Sequence, residues 1–434
     1  MLENKPPTIL DALRVRPFLF LWLSQILSQL AFNILNFVLV LRVYQLSGKN
    51  TAVSALVLAF MVPQLLLALF AGAVVDRFDK KLIMLVTNIV RALLVLILFI
   101  LAGQIAFFYV IAFLLAIATQ FFIPAEAPMI PQLLKKDLLL PANSLFTGTM
   151  YGSIILGYIL AGPGLKLFGP HMVFVLLAVF FALAGVFNSL LPSRTIKSTS
   201  QKKKGSSLAF SYTSLMKGLF DDIGHAILTV IRTKFVFFAL LLLTLSQTVV
   251  IILGSLFPGY AATILSVQVE DSSLLLLAPA ALGMILGSVF VAQTGRRVKE
   301  RIFMMIGLLL SGVSLLFLST LSRFDTTRTF LYITSILPID LLHFVVGICF
   351  LLGFFNAMIS IPANIIIQEK SDESLRGRIY GLFNGLSAFA AIIPVAIAGY
   401  FSDIFGVGKV MTFIAFFIVL AGILTIWKRK DIFS

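Results

Sequence analysis

Two charged residues, Arg91 and Glu126, lie within long apolar segments, where an ionised side chain is costly and is usually paired or functional. Arg91 follows Lys81 by ten residues, and Glu126 precedes Lys135 by nine. If the two lysines mark the same membrane surface, the helical rise places both charges about 15 Å below it. Two consecutive antiparallel helices could then pair them. The pair would serve as a structural or gating ion pair, or it would take a direct part in proton coupling.

Neutral polar side chains recur at helical spacing in two other apolar segments. The first segment carries Gln25, Gln29, Asn33 and Asn36, and the tenth carries Asn356, Ser360, Asn364 and Gln368. Single amides in further segments are Gln247 and Asn384. Such a stripe faces a water-filled cavity or forms hydrogen bonds between helices. Because two segments in equivalent positions carry a stripe, we favour a substrate cavity, and helix–helix bonding stays open.

A third candidate is the pair Asp340 and His343, which are three residues apart and share a helical face. Asp340 follows Pro338 closely, so its carboxylate fits the first turn of a helix, where the helix dipole stabilises it. The alternative is a proton-exchanging pair, because histidine titrates near neutral pH.

These residues must be positioned by membrane-spanning helices. The chain is 60% hydrophobic and only 12% charged, and its apolar runs are too long and continuous for the alternating strands of a barrel. We predict an all-α membrane protein of twelve transmembrane helices in two pseudo-symmetric six-helix bundles. The predicted spans are 17–43, 51–75, 81–103, 105–134, 140–168, 170–192, 234–265, 272–296, 301–321, 337–368, 374–403 and 407–428.

One long polar connection divides the spans into six and six. It predicts an N-terminal bundle over 1–192, a cytoplasmic linker over 193–233 and a C-terminal bundle over 234–434. Apolar residues between Leu208 and Ile227 recur at near-helical spacing, which indicates an amphipathic helix on the membrane surface. A wholly disordered linker is the alternative.

The net charge of +15 is a signal of topology and not of nucleic-acid binding. Most of the 33 Lys and Arg fall in connections on the side of the N-terminus, as expected of cytoplasmic loops. We therefore expect a multi-pass protein of the cytoplasmic membrane with both termini in the cytoplasm. No phosphate-binding loop is present, and three histidines with the lone Cys349 do not suggest a metal site. The sequence predicts no enzyme activity, no metal and no cofactor.

The connection between the second and third spans is short and densely charged. Its informative residues are Gly72, Asp76, Arg77, Lys80 and Lys81. Topology explains the three basic residues, but not Asp76 or its spacing from Gly72, which we expect to let the helices approach closely. This pattern resembles the loop between the second and third helices of the major facilitator superfamily, with Asp79 where many members have glycine.

Further segments resemble one branch of that superfamily, which includes enterobactin exporters and macrolide efflux pumps. They are Arg16-Pro17-Phe18, Thr87 to Ala92, Phe122 to Ala125 with Asn143-Ser144, and Leu375-Arg376-Gly377-Arg378. The resemblance implies that Asp76 is held near the start of the eleventh helix when the cytoplasmic side is closed, with Ser374 as its N-cap and Arg376 and Arg378 in the same gate. The sequence departs from the branch at Phe32, where many members have an acidic residue, and at Gly157-Tyr158, where exporters tend to have Gly-Pro.

The resemblance implies a secondary active transporter working by alternating access. We expect it to act as a monomer in the lipid bilayer and to export an amphiphilic, drug- or siderophore-like small molecule, driven by a proton or other ion gradient. Two alternatives are a translocase of lysophospholipids or other lipids and a non-transporting membrane receptor or assembly factor.

Overall fold

The computed structural model describes residues 8–75, 77–192, 233–295, 298–324, 341–370 and 373–427. In these ranges eleven helices are long and apolar enough to cross a membrane, and one of them contains two of the predicted spans. The predicted all-α membrane fold is confirmed. The amphipathic helix predicted near Leu208 lies outside the described residues.

The described residues of the first half of the chain form seven α-helices, most of them longer than the thickness of a bilayer requires. They are α1 (Ile9–Leu13), α2 (Arg16–Ser47), α3 (Asn50–Val75), α4 (Lys80–Leu101), α5 (Ile105–Glu126), α6 (Met129–Leu133) and α7 (Leu139–Ser189).

Six further helices follow among the described residues of the second half. They are α8 (Lys234–Thr263), α9 (Ala278–Thr294), α10 (Glu300–Phe324), α11 (Leu341–Lys370), α12 (Glu373–Phe405) and α13 (Val407–Trp427). A single π-helical turn, Ser273–Leu277, leads into α9.

Helix α7 is two spans joined at a break. Gly169 has φ 74° and ψ 174°, outside the helical region, and the helix resumes at Pro170. Glycine adopts positive φ without steric cost, and proline starts a helix readily because its fixed φ is already helical. This break falls between the predicted spans 140–168 and 170–192.

The fourth span is shorter than predicted. We predicted 105–134, but α5 ends at Glu126 and the short helix α6 follows it. Pro128 has no backbone N–H to donate to the oxygen of Pro124, so a helical hydrogen bond is missing where α5 gives way to α6.

The chain divides into two compact units. Of the described residues, unit 1 holds those up to 46 and those from 59 to 192, and unit 2 holds 47–58 and those from 233 onward. In unit 1, the buried apolar cluster includes Phe18, Met84 and Phe122, at the starts of α2 and α4 and near the end of α5. In unit 2, close glycine contacts join α9, α10, α11 and α13.

Large apolar side chains cover much of the surface of both units. On α13, Phe413, Phe416 and Phe417 are each more than half exposed. An apolar exterior of this extent is suited to lipid and unsuited to water. The buried polar side chains inside the units therefore need a separate explanation.

Candidate functional site

The guanidinium of Arg91 lies inside unit 1 among aromatic rings. Its side chain is only 2% exposed. The guanidinium carbon lies 4.5 Å from the ring centre of Phe122 and 5.8 Å from those of Phe32 and Phe181. Cation–π attraction of this kind strengthens when the charge is removed from water. The ring of Phe32 thus lies beside the buried cation, at a position where many members of the resembled branch have an acidic residue.

Polar groups of two helices contact the same guanidinium. Nη1 of Arg91 donates to Oγ of Ser28 at 3.0 Å and to Oδ1 of Asn88 at 3.4 Å. Oγ of Ser28 in turn donates to Oδ1 of Asn88 at 3.0 Å. The three side chains connect α2 to α4 within the bundle. Nε of Arg91 is buried and has no hydrogen-bond partner among the described atoms.

Glu126 is the second buried charge of unit 1, at the end of α5 and only 5% exposed. Its carboxylate and the guanidinium of Arg91 are close enough to attract each other electrostatically. They do not come within 4.0 Å, the limit for a direct ion pair. Oε1 of Glu126 has no hydrogen-bond partner among the described atoms. The two charges lie in one neighbourhood without a direct ion pair.

Other buried polar groups of unit 1 were missed by the sequence analysis. Asn188 on α7 is fully buried, and neither atom of its amide is hydrogen-bonded to a described group. Oγ of Ser24 and Nδ2 of Asn88 are also buried without a hydrogen-bond partner among the described atoms. Unpaired buried polar atoms are rare in native proteins and need an explanation, because each costs free energy. The spacing of Ser24 and Ser28 places them on one helical face and could have indicated their burial, but no spacing pattern indicates the burial of Asn188.

The polar stripe of α2 divides into buried and half-buried members. Gln25 is fully buried, and its Nε2 donates to the backbone oxygen of Phe146 on α7 at 3.0 Å. Gln25 therefore makes a helix–helix hydrogen bond, the alternative left open above. Gln29 and Asn36 are half-buried.

Asn33 packs against α7. It is 7% exposed, and its Nδ2 donates to the backbone oxygen of Gln29 at 2.8 Å. A Cβ added at Gly157 would overlap the Cβ of Asn33. Glycine at this position thus permits the two helices to approach closely.

In the polar stripe of α11, Asn356, Ser360 and Asn364 are half-buried, whereas Gln368 is exposed. Nδ2 of Asn356 donates to Oγ of Ser246 on α8 at 2.7 Å. Ser360 and Asn364 donate to the helix backbone one turn before them, at 3.0 and 2.8 Å. On α8, Gln247 is exposed. The side chain of Asn384 lies outside the described residues.

The charged loop between α3 and α4 is partly described. Arg77 is exposed, and Lys80 and Lys81 are half-buried. A Cβ added at Gly72 would meet no described atom within 4 Å, and the close helix approach predicted for that glycine stays a prediction. Asp79 caps α4, because its carboxylate accepts from the backbone N–H of Lys81 at 3.0 Å.

Several predicted gate and proton-coupling residues lie outside the described residues. They are Asp76, Asp340 and the side chains of Ser374, Arg376 and Arg378. We predicted that Ser374 precedes α12 as its N-cap. Helix α12 instead begins at Glu373, so Ser374 is its second residue. His343 is exposed in the first turn of α11. The roles assigned to these residues stay predictions.

Comparison with known proteins identifies relatives over nearly the whole chain. A family model described as the Major Facilitator Superfamily matches residues 21–395. An MFS-type transporter of Bacillus subtilis, YfiS, is 27% identical over 398 residues, covering 91% of this chain and 88% of that protein. Macrolide efflux protein A of Streptococcus pyogenes is 21% identical over 401 residues, 90% of each chain.

Solved transporter structures have the same fold. A mutant of the nucleoside transporter NupG superposes with a TM-score of 0.71 at 12% identity, covering 96% of this chain and all of that one. A bacterial homologue of the human lysosomal transporter Spinster gives a TM-score of 0.70 at 13% identity, covering 94% and 95%. At these identities the likeness concerns the fold alone.

Proposed function

The chain belongs to the Major Facilitator Superfamily of membrane transporters, and we propose that it is a secondary active exporter of amphiphilic small molecules. It is a transporter and not an enzyme. We propose export by alternating access across the cytoplasmic membrane, with both termini in the cytoplasm and with a proton or other ion gradient as the driving force. The similarity to a macrolide efflux protein supports an amphiphilic substrate.

One observation carries this proposal: two amide side chains remain half-buried in the middle of the largely apolar helix α2. They are Gln29 and Asn36; on α11, Nδ2 of Asn356 and Nδ2 of Asn364 donate hydrogen bonds within the protein. A half-exposed amide facing lipid would leave its hydrogen-bonding groups unsatisfied. The neutral chemistry of these faces suits a substrate with few fixed charges.

The test is flux into proteoliposomes containing the purified protein. A panel of dyes, siderophores and lysophospholipids is offered with and without a pH gradient. We expect gradient-dependent movement of at least one amphiphile and none in protein-free vesicles. If no compound moves in response to a gradient, the exporter assignment is wrong.

A second candidate, lipid translocation, is favoured by one groove of unit 1. An open groove of about 440 Å³ lies between α4 and the second part of α7. Leu85, Ile89 and Leu93 line one side, and Val175 and Val179 line the other. An aliphatic groove open to the bilayer would accept an acyl chain. Movement of lysophospholipid alone from the panel would establish this candidate over the first.

Replacing Gln29 by leucine is expected to change which compounds compete for transport. Loss of one substrate hydrogen bond should shift the relative affinity of two competing compounds by about fivefold. Gln25, one turn earlier on the same helix, is the matched control, because it is buried and bonded to Phe146. Gln25→Leu should lower stability without changing substrate preference, and equal changes in preference would contradict the assignment of Gln29.

Replacing Asp76 by asparagine is expected to slow transport without changing substrate preference. If Asp76 secures the cytoplasmic closure, losing one charge-assisted hydrogen bond should reduce the maximal rate by roughly tenfold. Rates and competition profiles in proteoliposomes measure both effects. A changed order of competing compounds would make Asp76 a substrate contact and not part of the closure.

A further inference from the structure

The carboxylate of Asp403 near the end of α12 accepts four hydrogen bonds from the first two residues of α3. Oδ1 accepts from the backbone N–H of Asn50 at 2.7 Å and from its Nδ2 at 3.1 Å. Oδ2 accepts from the backbone N–H of Thr51 at 2.9 Å and from its Oγ1 at 2.5 Å. All three residues belong to unit 2.

This arrangement supplies α3 with an N-terminal cap from a distant helix. The first N–H groups of a helix have no partner within it and carry partial positive charge, so an anion stabilises them. Capping is usually done by the residue just before the helix. That residue is Lys49, whose side chain has no acceptor atom. Asp403 on α12 caps α3 in place of Lys49.

The packing around the cap leaves no space for extra atoms. A Cβ added at Gly399, one turn before Asp403, would overlap the side chain of Ser54 and lie 2.9 Å from the backbone oxygen of Asn50. A Cβ added at Gly259 on α8 would overlap the side chain of Asn50. Asn50 and Ser54 are 4% and 2% exposed. The first turns of α3 are thus seated closely on α12 and α8.

Helix α3 passes from one unit into the other. Its residues up to Leu58 belong to unit 2, and those from Ala59 belong to unit 1. Pro63 lies inside the helix and has no N–H to donate to the backbone oxygen of Ala59. The backbone oxygen of Ala59, the first residue of α3 in unit 1, therefore lacks its helical hydrogen bond. Helices bend at prolines of this kind.

We propose that Asp403 is a positioning residue of the transport cycle, which fastens the first turns of α3 to α12 while the helix flexes between Ala59 and Pro63. Its role in the cycle rests on the proposed transport function, whereas its role as a cap does not. Asp403→Asn replaces one acceptor oxygen by a donor group and removes the charge. Two of the four hydrogen bonds are lost.

The first experiment is hydrogen–deuterium exchange of the full chain in nanodiscs, read by mass spectrometry. Asp403→Asn should make peptides covering 47–58 exchange about tenfold faster, with peptides of α13 unchanged. Ser402→Ala is the matched control, since Ser402 is the neighbouring residue and its buried Oγ has no hydrogen-bond partner among the described atoms. Unchanged exchange over 47–58 in Asp403→Asn would overturn the cap, and this arm requires no substrate.

The second experiment is flux in proteoliposomes. A residue that positions α3 should change the maximal rate by roughly threefold or more while leaving KM within about twofold. Ser402→Ala should match the unmodified protein in both. If Asp403→Asn speeds hydrogen–deuterium exchange over 47–58 but leaves the maximal transport rate unchanged, Asp403 has no role in the transport cycle and is only a structural cap.

Discussion

Replacing Gly353 by alanine should lower thermal stability markedly, whereas the same replacement at Gly347 should not. A Cβ at Gly353 would overlap the backbone oxygen of Ala280 on α9, so one methyl group must push two helices apart. Gly347, two turns earlier on α11, has no described atom within 4 Å of the added Cβ. The two variants differ only in whether a neighbouring backbone occupies the space.

The contact at Gly353 is part of a longer line of glycines. From the other side, a Cβ at Gly283 would overlap the backbone oxygen of Phe350, and one at Gly287 would lie 2.6 Å from that of Phe354. Within a membrane, helices associate through such close packing because lipid offers no hydrophobic driving force between them. Overpacking costs about 1–3 kcal/mol and sometimes more.

We therefore expect Gly353→Ala to lower the apparent melting temperature by roughly 5 °C or more. Gly347→Ala should leave it unchanged or raise it slightly, because alanine exceeds glycine in helix propensity by about 1 kcal/mol. Thermal challenge followed by size-exclusion chromatography in detergent measures both. Equal shifts for the two variants would show that α9 and α11 are not in backbone contact.

The membrane-spanning elements could be predicted from sequence wherever hydropathy alone decides them. The span predicted at 51–75 is Asn50–Val75, and that predicted at 407–428 is Val407–Trp427. The span predicted at 105–134 was too long, because an apolar composition does not show where the helical hydrogen bonds are interrupted, as they are at Pro128. Hydropathy therefore predicts the existence of a span better than its ends.

The candidate site was predictable only in part. A charge in the middle of an apolar segment must be buried, so Arg91 could be identified from sequence. Its aromatic neighbours Phe122 and Phe181 could not, because helical spacing gives the face of a residue and not the helix that packs against it. For the same reason the role of Gln25 could not be predicted. Its position in a polar stripe does not show whether it faces a cavity or donates to the carbonyl of Phe146, as it does.

The contacts of Asp403 were even less predictable from the sequence. In the sequence it is one acidic residue at the end of an apolar span, where a charge is ordinary. Only the fold brings it to Asn50 and Thr51, which come more than three hundred positions earlier. No local pattern in the sequence connects these residues.

Replacing Arg91 by methionine is expected to be strongly destabilising. The variant loses the contacts with three aromatic rings and the hydrogen bonds to Ser28 and Asn88. It also leaves the carboxylate of Glu126 buried without a compensating charge. The loss of hydrogen bonds from a charged group and of the compensating charge should together cost about 3 kcal/mol. Arg91→Lys should recover only part of this, because an ammonium cannot reproduce the planar guanidinium.

Glu126→Gln should lower stability less than Arg91→Met does. Its effect on function should be confined to the coupling of transport to the proton gradient. Arg91 keeps its rings and both hydrogen bonds in this variant, since the two side chains form no direct ion pair. If Glu126 carries the coupling proton, gradient-driven accumulation should fall by roughly a hundredfold. Exchange of substrate down its own gradient should continue, because that process needs no net proton movement. Proteoliposome flux with and without a pH gradient separates the two.

The double variant Arg91→Met/Glu126→Gln distinguishes a structural pair from a coupling site. If the charges mainly compensate each other, removing both should restore at least about 1 kcal/mol of the stability lost in Arg91→Met, a coupling measured by comparing all four proteins. Its transport should still lack dependence on the pH gradient if Glu126 is the proton carrier. Gradient-driven transport that survives in Glu126→Gln would exclude the coupling role. Arg91 and Glu126 would then be a structural charge pair, and the proton would have to bind elsewhere in the chain.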